Sequence, residues 1–327
     1  MADKVPPPHN GMYPSYAAPT HRKRERRYPP VFTLLAVLAC VVVFVVVMYK
    51  NDCPAHIGAG RTCILGSSFK RMSFQPWSEN PLLGPTSLTL QNMGGLRRDL
   101  VVDRKEGWRL MSCVWLHAGV FHLVVNMIAL LIFGIQLERD FGAIRVGVLY
   151  LIAGLGGSLL SSLMSENANA ISVGASGALF GLLGASASEL ITNWGHYSNR
   201  CGLLFQIILV AGINLAIGLL PRVDNWAHIG GFVSGFLLGF VFLMKTQYNF
   251  VRRRDLLDPN MERPVKHRFK AYQFILFIIS LLLLIAGFAG GFAALYNGVN
   301  VHSRCSWCHY LDCVPWSGHW TCDAASG

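Results

Sequence analysis

Apolar residues along this chain gather into long uninterrupted runs, without the alternation of a sheet or the single stripe of a soluble helix. Such runs occupy about 31–49, 114–137, 145–164, 177–192, 203–220, 227–244 and 272–296. Crossing a bilayer takes ~20 apolar residues, so the pattern predicts seven membrane-crossing helices and an all-α polytopic membrane protein. A soluble α/β chain would show shorter runs and strand alternation. The run at 177–192 is short. At ~1.5 Å per residue it spans roughly 24 Å, less than a ~30 Å hydrocarbon core. If its far end reaches one interface, its start lies below the other. Irregular backbone survives at that depth only against protein or a watered cavity.

Polar segments divide the chain. Residues 1–29 are Pro-rich and without periodicity, which predicts a disordered tail. A core of six helices follows over 30–245. Then come a basic linker (246–270), a seventh helix (271–297) and a Cys-rich tail (298–327). The loop at 50–108 is broken by Pro and Gly. Its amphipathic piece at 69–77 reads either as an interfacial segment or as part of an ordinary folded loop. No cleavable secretory signal precedes the first helix, which would itself target the chain.

Charge sets the orientation. Lys4, Arg22, Lys23, Arg24, Arg26 and Arg27 precede the first helix, and the linker around 245–270 is strongly basic, while the short loop at 165–173 has no Lys or Arg. Positive residues stay in the cytosol, so the N-terminus is expected there and the C-terminus outside. The net charge of +11 then reads as topology and attraction to an anionic lipid bilayer, with no nucleic acid partner. Of the nine cysteines, Cys53, Cys63, Cys305, Cys308, Cys313 and Cys322 fall on the outer side. An even number in an oxidising compartment points to disulfides. The tail spacing, with His309 and His319 nearby, also fits a zinc site.

Several helices carry polar groups that lipid would not tolerate. In the second, His122 and Asn126 are four apart and share a face, and His117 lies near its outer end. They read as a functional set facing a cavity or as interhelical hydrogen bonds. The third helix has a small-residue face (Gly154, Gly157, Ser158, Ser161), and the fifth, with Gly212, Asn214 and Gly218, looks like scaffold. The fourth begins at Gly174-Ala-Ser176-Gly177 and continues its small face through Gly181, Gly184 and Ser188. The sixth repeats Gly231, Gly235 and Gly239 every four residues, with His228 three before the first. Packing these two faces brings Ser176 and His228 together at the same end, a nucleophile beside a general base. Asp224, four before His228, either orients the imidazole or faces water as a loop aspartate.

Taken in order, Gly174-Ala-Ser176-Gly177, Ala227-His228-Ile-Gly-Gly231 and the His117/His122/Asn126 spacing resemble the rhomboid intramembrane serine proteases over roughly residues 30–245. Trp108-Arg109 and Glu138-x3-Gly142 look like structural signatures of the same family. The resemblance implies a rhomboid fold, a six-helix core plus one C-terminal helix. It implies cleavage of single-pass membrane proteins in or near their transmembrane segment by a Ser176–His228 dyad. The oxyanion would be held by His122, Asn126 and the Ser176 N–H, with no metal and no cofactor. His117 takes a structural or water-retaining place. Phe180 stands where the family often has a tyrosine stacked on the catalytic histidine, so stacking is expected without the hydroxyl. The seventh helix and Cys-rich tail resemble plant secretory-pathway members, implying Golgi or plasma membrane. The alternative is a catalytically silent relative that binds transmembrane helices for trafficking or degradation. A more distant rival is a transporter or metal channel ligated by His117, His122 and His228.

Overall fold

The computed structural model describes residues 27–58, 61–165, 170–194, 197–219, 223–248 and 267–311. Its seven long helices are α1 (Val31–Asn51), α2 (Val120–Phe141), α3 (Ala143–Met164), α4 (Ser176–Thr192), α5 (Arg200–Ile217), α6 (Asn225–Phe242) and α7 (Ala271–Tyr296). Six are long and apolar enough to cross a membrane, and α4, at 17 residues, is the short one. The chain is an all-α polytopic membrane protein. The one sheet among the described residues is a two-residue antiparallel pair, β1 (Gln247–Tyr248) with β2 (His267–Arg268). The N-terminal tail up to residue 26, most of the basic linker, and Cys313 and Cys322 lie outside the described residues.

The centre of the molecule is α4, buried along nearly its whole length between α3 and α6. The small faces meet as the glycine spacing predicts. A Cβ at Gly231 would stand 1.9 Å from Gly177 O, and one at Gly235 2.0 Å from Gly181 O. Gly157 of α3 completes the junction, its Cβ position 2.6 Å from Ala227 O and 3.4 Å from Gly177 Cα. Three backbones therefore touch where α4 and α6 begin, an approach that only residues without side chains permit.

The second helix starts later than its apolar run. It begins at Val120 rather than near 114, and it ends at Phe141 instead of near 137. Leu116 and Gly119 are extended, and the carbonyls of Leu83 and Leu82 accept the amides of Val120 and Phe121. The 50–108 loop thus supplies the hydrogen bonds the first turn lacks, and His117 sits in the turn before the helix. A wide π turn, Leu130–Gly134, follows where Gly134 packs on Thr33 of α1.

Glu138 of the Glu138-x3-Gly142 signature has a structural use. It is fully buried near the end of α2, where its carboxylate accepts from Phe32 N (2.7 Å), Thr33 N (2.8 Å) and Thr33 Oγ1 (2.7 Å). A carboxylate at a helix N-terminus meets both the free N–H groups and the positive end of the dipole. Glu138→Ala strands two buried donors on Thr33 and a half-buried one on Phe32, each costing ~1–3 kcal/mol. The variant is expected to lose at least about 3 kcal/mol of stability, read as a lower thermal unfolding midpoint in detergent. An unchanged midpoint would show that the cap is dispensable.

The fifth helix is peripheral over most of its length. None of its residues is buried, a Cβ at Gly212 would meet nothing within 4 Å, and Asn214 Nδ2 donates to its own helix at Val210 O, while its far end meets α6 through Gly218 and Leu215 against Asn225. By contrast α7 is tied at both ends: Tyr272 Oη donates to Thr192 O and Gln273 Nε2 to Lys245 O at one, Asn300 Nδ2 to Ser165 O and Val301 N to Leu163 O at the other.

Candidate active site

Ser176 is the first residue of α4, partly buried at the junction just described. Its approach segment is held from outside. Leu96 and Ser172 exchange both backbone hydrogen bonds (2.9 Å each), and Gly174 N donates to Cys113 O at 3.0 Å. The 91–97 stretch is pinned in turn by Arg109, whose Nη1 donates to Gln91 O (2.6 Å) and Gly95 O (2.9 Å) while Nε meets Glu106 Oε2 (2.6 Å). Arg97 grips Asp99 and Gln91 beside it, and that guanidinium holds the Asp99 carboxyl below its ordinary range. The Trp108-Arg109 pair is thus linked mechanically to the serine loop.

Gly174 has φ +134, a conformation that side chains rarely adopt. A Cβ there would also fall 2.7 Å from His122 Cε1, 2.9 Å from His122 Nε2 and 3.7 Å from Ser176 Oγ. The space this glycine leaves is bounded on one side by the imidazole and on the other by the hydroxyl. Ala118 N donates to His122 Nδ1 at 3.4 Å, which puts the ring proton of the neutral form on Nε2, facing that space. Asn126 is buried one turn on. Its Nδ2 donates to His122 O at 2.8 Å, using one of two N–H bonds, and its Oδ1 is buried without a partner among the described residues. His117 is completely buried, edge-on to His122 with ring centroids 5.3 Å apart, and both its nitrogens are unpartnered among the described residues.

His228 lies in the first turn of α6, 7% exposed. Its ring stacks on Phe180, one turn into the serine helix, with centroids 4.3 Å apart and planes 7° from parallel. Its chain neighbour Ala227 sits against Gly177, the neighbour of Ser176, the Cβ position of Gly177 being 3.2 Å from Ala227 O. Among the described residues there is no hydrogen bond between Ser176 Oγ and the His228 ring, and His228 Nδ1 is buried without a partner. The side chains converge without being joined. Among the described residues, no group of three His, Cys, Asp or Glu is arranged to hold a metal, which leaves the metal-channel rival without a ligand set there.

Asp224, partly buried, spends its carboxylate on groups other than the imidazole. Its Oδ1 accepts from Ala227 N (2.9 Å) as the N-cap of α6, and its Oδ2 accepts from Ser161 Oγ of α3. Sequence reasoning missed this brace, although an aspartate three residues before an amide at a helix start is a capping signal. It also missed Asn193, fully buried at the far end of α4. That residue donates to Leu243 O (2.9 Å) and Glu189 Oε1 (3.0 Å) and accepts from Lys245 N (2.9 Å). The far ends of α4 and α6 are thereby locked in register.

The close crossing makes a testable demand. Gly231→Ala forces the α4 and α6 backbones apart, and shifts near 1 Å in a reacting pair cost on the order of 100-fold in rate. A loss of about that size is expected for Gly231→Ala, and none for Gly287→Ala, whose Cβ position has nothing within 4 Å. Equal activities would mean that the junction does not govern the site.

Comparison with known proteins now bears on the same residues. The Rhomboid domain family model matches residues 104–245. The chain is 51% identical over 286 residues to RHOMBOID-like protein 1 of Arabidopsis thaliana, covering 88% of this chain and 72% of that protein. The chain belongs to the rhomboid family. It is also 52% identical over 301 residues to the Arabidopsis RHOMBOID-like protein 4, covering 92% of this rhomboid and 73% of that one. Inactive RHOMBOID-like protein 8, from the same plant, is 40% identical over 306 residues, covering 92% and 85%. The matched region of this rhomboid runs from just before Arg109 to Lys245, from the loop anchor to the far-end lock.

Proposed function

We propose that this rhomboid is an intramembrane serine endopeptidase in which Ser176 is the nucleophile and His228 the general base. The observation that carries the reading is the gap over Gly174, bounded by Ser176 Oγ and the Nε2 of His122, with the imidazole of His228 stacked one turn along the serine helix. Ser176 Oγ attacks the scissile carbonyl carbon as His228 takes its proton. The oxyanion forms in the gap, where His122 Nε2–H, the second Asn126 Nδ2–H and the Ser176 amide supply donors. His228 passes its proton to the leaving amine, and water then releases the acyl group from Ser176.

His228 has no carboxylate to orient it. Phe180 fixes the plane of its ring, and the Asp224 cap and Gly231 contact fix its backbone. The substrate segment enters from the α5 side, where a cavity of about 200 Å³ lies between α5 and α6 against Phe180, lined also by Ala211, Leu215, Ile229, Phe232 and Val233. Its occupants are single-pass membrane proteins. The disulfides Cys53–Cys63 and Cys305–Cys308 support placing this face in the lumen or outside, the N-terminus in the cytosol and the protein in the secretory pathway, at the Golgi or plasma membrane.

The test is cleavage of single-pass proteins co-reconstituted in liposomes. The reading requires a new terminus in or near the transmembrane segment with the wild type and none with Ser176→Ala. Co-purification of uncleaved single-pass proteins with both would favour the silent, helix-binding alternative.

A further inference from the structure

The last described segment crosses back over the site face. After α7 the chain passes the end of α3, then a 3-10 turn at His302–Arg304, and reaches the start of α6. There Cys305 and Cys308 form a disulfide. Cys308, 2% exposed, packs in one cluster with Met164 at the end of α3 and Trp226 of α6, and Cys305, Leu311, Leu160 and Ile229 surround it. Asn225 Nδ2 donates to Leu311 O at 2.9 Å and to Leu215 O of α5 at 3.2 Å. One buried asparagine thus joins the tail, the end of α5 and the first residue of α6, three positions before His228. Nothing in the proposed chemistry uses this contact.

The two sulfurs differ in access. Cys305 is partly buried beside the exposed Trp307, whereas Cys308 is sealed against the helix. A pair separated by two residues, one cysteine more accessible than the other, is the arrangement that thiol–disulfide exchange uses. We infer that Cys305–Cys308 is a redox-active clamp on the helix that carries His228, opened by a dithiol reductant. The reductant's thiolate attacks Cys305 Sγ and displaces Cys308 as thiolate, which takes a proton. The reductant's second thiol then resolves the mixed disulfide, leaving two protein thiols and an oxidised reductant. Opening this short loop frees the tail to leave Trp226 and Asn225, and the start of α6 loses its cover.

The functional consequence rests on the role proposed for His228, so the test has two readouts on the full chain in liposomes. The protein is titrated with dithiothreitol, and the state of each disulfide is followed by alkylation and mass spectrometry. Hydrogen exchange at 223–230 and substrate cleavage are measured on the same samples. As Cys305–Cys308 opens, exchange at 223–230 should rise and cleavage should fall about ten-fold, the ordering that closing so short a loop supplies. Reoxidation should restore both. Cys305→Ser/Cys308→Ser should start at the reduced level and ignore the reductant.

Unchanged exchange with the disulfide shown to be open would overturn the clamp, as would a reductant response persisting in the double variant or following only Cys53–Cys63. Faster exchange in a protein that cleaves nothing in either state would leave the clamp standing and sink the protease reading instead.

Discussion

Ser176→Ala is expected to lower cleavage by about 10⁴-fold or more, His228→Ala by a similar factor, and the double variant by no more than either alone. The reason is that a nucleophile and its base act as one unit, so removing either abolishes the same step. The geometry adds a restriction. Among the described residues His228 has no acidic partner on Nδ1, so no third residue should show an effect of that size. Asp224→Asn keeps an N-cap acceptor and is expected to stay within about ten-fold of wild type. The Ser176→Ala loss must appear with the unfolding midpoint unchanged, since among the described residues the Ser176 hydroxyl holds no other group in place. His228→Ala is judged on protein that remains folded, because its ring is buried against Phe180. Independent, multiplying losses in the double variant would mean that the two side chains serve different steps.

Loss of either proposed oxyanion donor is expected to come second in size. Asn126→Ala and His122→Ala should each reduce kcat by about 10²–10³-fold, with KM nearly constant, because the donors meet charge that exists only in the transition state. The two are not equivalent. His122 is oriented by Ala118 N from outside, so its Nε2–H is already aimed at the gap over Gly174. Asn126 spends one N–H on His122 O, so Asn126→Ala also frees the carbonyl that this amide holds, and a modest loss of stability accompanies the kinetic one. Asn126→Asp keeps the shape but replaces the donor by an acceptor, and it should be at least as slow as Asn126→Ala. A drop in stability with kcat intact would assign Asn126 to holding the His122 carbonyl within its own helix.

The parts of this arrangement that follow helical period were readable from residue order. Gly231, Gly235 and Gly239 at a spacing of four predicted a face, and they lie against Gly177, Gly181 and Ala185. The short apolar run predicted a short α4, and Phe180, four beyond Ser176, fell where its ring could cover His228. What escaped depends on contacts between distant segments, which leave no period. The start of α2 is set by Leu82 and Leu83, and the serine loop by Leu96. Apolarity continues upstream through Val114, Trp115 and Leu116, so hydropathy alone extends the helix past the extended residues at 116 and 119. Asp224 was misjudged because its partner Ser161 is on another helix. Of the small residues of α5, Gly218 meets Asn225 of α6 closely, yet a Cβ at Gly212 would meet nothing within 4 Å. A glycine offers close approach but does not supply the neighbour.

The pairing of Ser176 with His228 is tested most directly by covalent labelling. A fluorophosphonate reacts only with a serine whose proton a neighbour removes, and it needs no substrate to enter from the membrane. Wild-type protein in liposomes is predicted to carry one adduct, located on Ser176 by peptide mass spectrometry, with no labelling of folded Ser176→Ala or His228→Ala. Adducts on Ser176 forming equally fast in His228→Ala, or an adduct at another serine, would contradict it.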